Sequence, residues 1–109
     1  MDNNSLKGRE MTSEIREEQG VLIVRGRNVV KIASALSSET RIKILEFLKG
    51  KEVDIGQVAE LINQSKANAS AQMRILEKYG LVKTTYKPGK RGVKKVCTSN
   101  IREVRLILE

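Results

Sequence analysis

Between Val29 and Leu81 apolar residues recur at helical spacing in four blocks. Val29, Ile32, Ala33 and Leu36 fall at i, i+3, i+4 and i+7, the stripe of an amphipathic helix. Ser37-Ser38 interrupts it, and Ser38 is placed to cap a second helix with Glu39 in its first turn. That helix, Glu39 to Lys49, is apolar at Ile42, Ile44, Leu45, Phe47 and Leu48. So little polar face predicts the central, buried helix. Gly50 ends it, and Asp54 is placed to cap the third block, in which Ile55, Val58, Ala59 and Ile62 repeat the same spacing. Asn63-Gln64 is a short turn, and Ser65 caps the last helix. There Ala69, Met73 and Leu76 form an apolar stripe, while Lys66, Ala67, Ser70, Ala71 and Arg74 lie on the opposite side without an acid. Gly80 stands where a helix ends in a left-handed residue, and Leu81 then folds back on the last turn.

After Leu81 the period drops from helical to two. Val82, Thr84 and Tyr86 alternate with Lys83, Thr85 and Lys87, and Val93 to Thr98 is a second run of strand type. Pro88-Gly89 suits the middle of a type II turn. The two runs bracket Gly89-Lys90-Arg91-Gly92 and predict a hairpin with a basic tip. Upstream, Gly20 and Gly26 bound the short strand-type run Val21 to Val24. Ile101 to Glu109 fits a strand through Val104, Leu106 and Leu108, and a helix through Ile101, Val104 and Leu108. The strand is preferred because Val21 to Val24 would then gain a partner. Residues 1–20 are polar and aperiodic; Ser13 to Gln19 has the makings of a short helix, with only Met11 and Ile15 to anchor it. A flexible tail is expected over residues 1–20, and one folded domain over residues 21–109.

Two helices joined by a turn of about 3–4 residues, the second basic on its open face, describe a helix-turn-helix. The hairpin after it is the wing. The predicted fold class is therefore α+β, mostly helical: a winged helix-turn-helix with a two-stranded β-wing.

The charge distribution sharpens this picture. The net charge is +8 over 109 residues. Residues 1–28 hold five basic and five acidic side chains and balance, whereas residues 65–102 hold ten basic side chains against Glu77 alone, a local +9. A contiguous basic face of this kind meets a polyanion. With no histidine and only Cys97, the chain cannot build a Cys/His metal site or a His-based catalytic triad. No enzyme, cofactor or metal is expected. Cys97 reads as a small apolar residue on a strand. Gly89-Lys90-Arg91-Gly92 matches the GXXG of KH domains, but that loop joins helices and this one joins strands. No apolar run is long enough to span a bilayer, and the N-terminus shows no signal-peptide core.

The stretch Ala35-Leu-Ser-Ser-Glu-Thr-Arg-Ile-Lys-Ile-Leu-Glu-Phe-Leu-Lys49 resembles the first core helices of ArsR-type winged-helix regulators. Val-Ala-Glu-Leu at 58–61, Ser65, and Arg-Ile-Leu-Glu-Lys-Tyr-Gly-Leu-Val at 74–82 continue the resemblance, which covers roughly residues 29–98. The resemblance implies a homodimer that binds double-stranded DNA in the cytoplasm, associated with the nucleoid. Metal-sensing members use Cys, His and carboxylate ligands, a set this chain lacks. The family often carries a long C-terminal helix in its dimer interface, where this chain has the short Ile101 to Glu109. Small basic archaeal chromatin proteins of low sequence specificity share similar winged helices and are the alternative reading; a protein–protein module is a third.

The expected DNA-binding set is Ser65, Lys66, Ala67, Asn68, Ser70, Ala71 and Arg74 on the recognition helix, residues 65–79, in the major groove. Lys87, Lys90, Arg91, Lys94 and Lys95 on the wing, residues 82–98, would meet the backbone. Asn68 has the amide for adenine, as has Gln72 unless it lies at the edge, while Ala67 and Ala71 offer only methyls.

Overall fold

The computed structural model describes residues 14–109. Of the tail expected over residues 1–20, residues 1–13, with Met11, lie outside the described residues. The short helix expected over Ser13 to Gln19 gives way to a strand. Ile15–Glu18 is a strand, β1, paired antiparallel with β2, Val21–Arg25. Gln19 and Gly20 join them, both with positive φ (51° and 83°), which is the two-residue type I′ geometry that matches strand twist. Gln-Gly is a weaker signal for this turn than Asn-Gly, so the local sequence does not announce the hairpin.

Four helices follow. These are α1, Asn28–Leu36; α2, Glu39–Leu48; α3, Ile55–Ile62; and α4, Lys66–Lys78. Three of the four start on the expected caps. Ser38 Oγ accepts from the Arg41 N–H at 3.2 Å, Asp54 Oδ1 from the Gln57 N–H at 2.9 Å, and Ser65 Oγ from the Asn68 N–H at 3.1 Å. Gln57 returns the favour, its Oε1 accepting from the Asp54 N–H at 2.9 Å, which completes a capping box.

Two helix ends have the same solution. Asn63 takes the left-handed conformation after α3, and Gly80 takes it after α4 (φ 78°). In each, two carbonyls of the last turn are satisfied. Gln64 N–H reaches Ala59 O at 3.0 Å, and Leu81 N–H reaches Leu76 O at 3.0 Å, the long bond of a Schellman motif. Leu81 is thereby turned into the core, where it is fully buried.

The wing is β3, Lys83–Gly89, paired antiparallel with β4, Gly92–Thr98. The turn sits two residues beyond Pro88-Gly89, inside the expected tip Gly89-Lys90-Arg91-Gly92. Pro88 pairs with Val93 and Gly89 with Gly92, so Lys90-Arg91 is the tip. Pro88 lacks an N–H and is tolerated because a hairpin of two strands is all edge. Val53 bridges Cys97 with hydrogen bonds of 2.9 and 2.8 Å, tying β4 to the segment before α3.

The C-terminal stretch is a strand, as preferred: β5, Glu103–Ile107, lies parallel to β2 in a three-stranded sheet of order β1-β2-β5. The helix-turn-helix and wing are the crossover between these two strands. Leu22, Val24 and Val104 press the sheet onto the same core that buries Ile32, Ile44, Leu48 and Leu76. Two apolar positions differ from expectation. α1 turns Ala35 inward (3% exposed) and leaves Ala33 exposed, because Ile32 and Ala35 share the face packed on β2. α2 buries only Ile44 and Leu48, with Ile42 left 37% exposed, so it is amphipathic rather than enclosed.

Two glycines separate backbone strain from crowding. A Cβ at Gly80 meets nothing within 4 Å. At Gly20 it would lie 2.9 Å from Asn100 O, the backbone just before β5. Gly80→Ala is therefore expected to cost about 1 kcal/mol, from left-handed strain alone. Gly20→Ala should cost more, about 2–3 kcal/mol, because strain and a backbone clash add. Thermal unfolding checks the order; equal losses would mean the sheet yields freely at residue 20.

Candidate nucleic-acid interface

The helix-turn-helix is held open by an arginine that the periodicity argument passes over. Arg41, one turn into α2, donates from Nε to Ala35 O at 2.6 Å and from Nη2 to Ser34 O at 3.3 Å. Both carbonyls belong to the last turn of α1; Ser34 O also accepts from the Ser37 N–H at 3.2 Å and the Ser37 hydroxyl at 2.7 Å. Its Nη1 donates to Gln72 Oε1 on α4 at 2.8 Å. One guanidinium thus joins α1, α2 and α4. This spends the Gln72 carbonyl, while its amide NH2 takes no part in the bond. A cation beside Ser-Ser and a glutamine 31 residues away is not a recognisable pattern in sequence; only the fold brings them together.

α4 has the two faces expected of it. Ala69, Met73 and Leu76 are buried, none above 2% exposure. Lys66, Ala67, Asn68, Ala71 and Arg74 are exposed, and Ser70 is half-buried. Ser65 belongs to this end of the helix but its hydroxyl is engaged as the cap. The open face of α4 carries no acid; Glu77 is half-buried on the flank toward the core. The first turn also lacks acids, so the N–H groups and positive dipole end add to the cationic field rather than being neutralised.

The hairpin leaves the core at Leu81 and Val82, both buried, and Ser99 closes its base by donating to Leu81 O at 2.7 Å. Beyond Val96 and Cys97 the hairpin is exposed on both faces. Lys90 and Arg91 occupy the tip, and Lys94 and Lys95 lie on opposite faces of β4. Lys87 is different. Its Nζ is 2.6 Å from Glu52 Oε1, so this wing cation is directed back at the loop before α3. Among the described residues no other wing cation has an ion-pair partner. The exposed Lys87–Glu52 pair is worth little in stability, about 0.2–1 kcal/mol, beside the Val53–Cys97 and Ser99–Leu81 bonds that hold the hairpin's base.

Tyr86 and Val93 were not expected at the interface. They are 68% and 75% exposed, and lie on the same wing face as Lys95 and Pro88. Cys97 is buried at the wing base, as expected of a small apolar residue; burial pushes its thiol up from the ordinary value against the weaker effect of the Thr84 hydroxyl. Among the described residues no group of three potential metal ligands comes together, and no helix is long and apolar enough to cross a membrane.

Residues 38–84, a little under half of the chain, match the family model described as bacterial regulatory protein, arsR family. That span runs from the cap of α2 into the first residues of the wing. No curated protein matches the chain. Among solved structures, reduced HlyU from Vibrio cholerae is 25% identical, with a TM-score of 0.56 over 66% of this chain and 72% of that one. The homodimeric winged helix-turn-helix DNA-binding domain of Mb0332 from Mycobacterium bovis, a possible ArsR-family regulator, is 23% identical. Its TM-score is 0.57 over 67% of this chain and 64% of that one. NolR from Sinorhizobium fredii is 17% identical, with a TM-score of 0.54 over 91% of this chain and 78% of that one. Over residues 38–84 the chain is thus similar to the arsR family of bacterial regulatory proteins, and its helix-turn-helix and wing have the fold of winged helix-turn-helix regulators.

Proposed function

We propose that this protein regulates transcription as a homodimer on duplex DNA, with α4 in the major groove and the wing on the sugar-phosphate backbone. The observation that carries this is the acid-free open face of α4, followed directly by a hairpin whose tip and outer strand bear cations without an ion-pair partner among the described residues. Residues 21–109, with β1 added to their sheet, form the DNA-binding unit. Lys66, Asn68, Ser70 and Arg74 supply hydrogen-bonding groups for base edges and phosphates; Ala67 and Ala71 allow close approach and contact a thymine methyl. Lys90, Arg91, Lys94 and Lys95 neutralise phosphates, while Lys87 acts through Glu52 to hold the wing. The homodimer named for the Mycobacterium bovis domain supports a two-fold arrangement on a two-fold operator. Such a regulator works in the cytoplasm, on the nucleoid, without metal, cofactor or enzymatic activity.

A duplex selected from a random library, compared in gel shifts with its scrambled counterpart, tests the reading. A specificity ratio of about a thousand or more is expected of a regulator. A ratio near one would replace regulation with sequence-blind chromatin binding, and no binding at low salt would remove DNA from the reading altogether.

A further inference from the structure

We infer that the free edge of β5 is the dimer interface: two copies join β5 to β5 antiparallel across a two-fold axis at Val104, making one six-stranded sheet. The inference rests on the dimeric reading above and names the surface that carries it. β5 is paired on one side only, by β2, and among the described residues its other edge has no strand partner. An unpaired edge is a row of free N–H and C=O groups, a template for a second chain. The edge carries the charges of Glu103 and Arg105 but is otherwise open to pairing. It contains no proline, its five residues keep regular register with β2, and Leu106 and Leu108 beside it are 39% and 86% exposed.

The charges of β5 choose the register. A two-fold antiparallel pair must match the strand with its own reverse. Centred on Arg105, it would set Arg105 against Arg105 of the partner subunit. Centred on Leu106, it would set Glu103 against the partner's Glu109. Centred on Val104, it sets Glu103 against the partner's Arg105 on both sides of the axis. The same register places Ile101 opposite the partner's Ile107, and Leu106 opposite the aliphatic stem of the partner's Arg102. Glu103 and Arg105 already meet within one strand at 2.9 Å, so the two copies together form a four-membered charge cluster. The position suits the proposed function as well. β5 packs on β2, whereas α4 packs on α3 and the wing on itself, so pairing through β5 leaves both DNA-contacting elements uncovered.

Sedimentation equilibrium of the full chain in reductant tests this, with duplex binding measured on the same samples. The wild type is expected to be a dimer at micromolar concentration. Glu103→Arg and Arg105→Glu should each raise the dimer dissociation constant about tenfold or more, since two cross-strand pairs change from opposite to like charge. The double variant Glu103→Arg/Arg105→Glu should return to near the wild-type value, because the reversed strand is again its own complement. A dimer indifferent to the single variants, or a double variant no better than either, overturns the interface. A monomeric wild type overturns it too, and if that monomer still discriminates the selected duplex, DNA recognition stands without the dimer. A rescued dimer that binds no duplex upholds the interface and removes the DNA-binding reading instead.

Discussion

Replacing Lys90 and Arg91 together by alanine flattens the dependence of log K on log salt by about two units. Both cations stand at the hairpin tip without an ion-pair partner among the described residues, and both are exposed. Each neutralised phosphate contributes about 0.9 to the slope, so two contribute about 1.8. That is roughly 60-fold in affinity at 0.1 M salt relative to 1 M. The loss falls equally on selected and scrambled duplexes, because phosphate contacts position the protein and carry no base code. Arg74→Ala supplies the contrast. On the open face of α4 it is placed to reach a guanine edge, and its loss should cost about 1–3 kcal/mol on the selected duplex and less on the scrambled one. Salt series on both duplexes with both variants decide the matter. A wing variant with the full wild-type slope means the hairpin tip is off the DNA, and the proposed docking fails. A wing variant weakened only on the selected duplex means that Arg91 reads bases, as an arginine does in a narrow minor groove.

Arg41→Ala is expected to lower stability by about 2–3 kcal/mol, the range for hydrogen bonds to a charged group plus the Ala35 carbonyl it leaves without this donor. For a domain of this size that is a fall of about 10–20 °C in Tm. The side chain donates to Ala35 O, Ser34 O and Gln72 Oε1, and no substitute spans all three. Arg41→Lys should recover little of the loss, since an ammonium is a point donor and not a planar fork. A double-mutant cycle with Gln72→Ala isolates the part that reaches α4. Coupling of about 1 kcal/mol is expected. An unchanged Tm in Arg41→Ala would show that water replaces the guanidinium without cost, and coupling near zero would release α4 from this tie.

Much of the fold was legible because its signals are local. Ser38, Asp54 and Ser65 announce helix starts through a hydrogen bond three residues away, and each bond is present. Gly80 announces a helix end because only a residue without a Cβ takes that φ freely. The wing showed itself as a change of period from helical to two. Misreadings arose where a local rule met a tertiary choice. Ala33 and Ala35 differ little in chemistry, and only the rotation of α1 on β2 decides which is buried. Pro88-Gly89 is a good turn by type, yet both residues pair within the hairpin and the turn lies at Lys90-Arg91, in the tip expected from the two strand runs. β1 is not announced because residues 1–20 are polar and aperiodic and Ser13 to Gln19 suits a short helix; the backbone of Ile15–Glu18, not its side chains, is what β2 recruits.

The candidate site divides in the same way. By itself the sequence determined the helix-turn-helix, the wing, the inward stripe of α4 and the excess of positive charge on one region. Each of these follows from residues close together in the chain, through periodicity, capping and composition. The tertiary structure alone decided that Lys87 is spent on Glu52, that Gln72 is spent on Arg41, and that β5 lies parallel to β2 in the register Leu22 to Val104. Those pairings join residues 31 or more positions apart, and β2 and β5 are separated by the whole DNA-binding unit. Partners at such distances are chosen by the packing of the elements between them, because closing a long loop costs entropy that only a completed core repays.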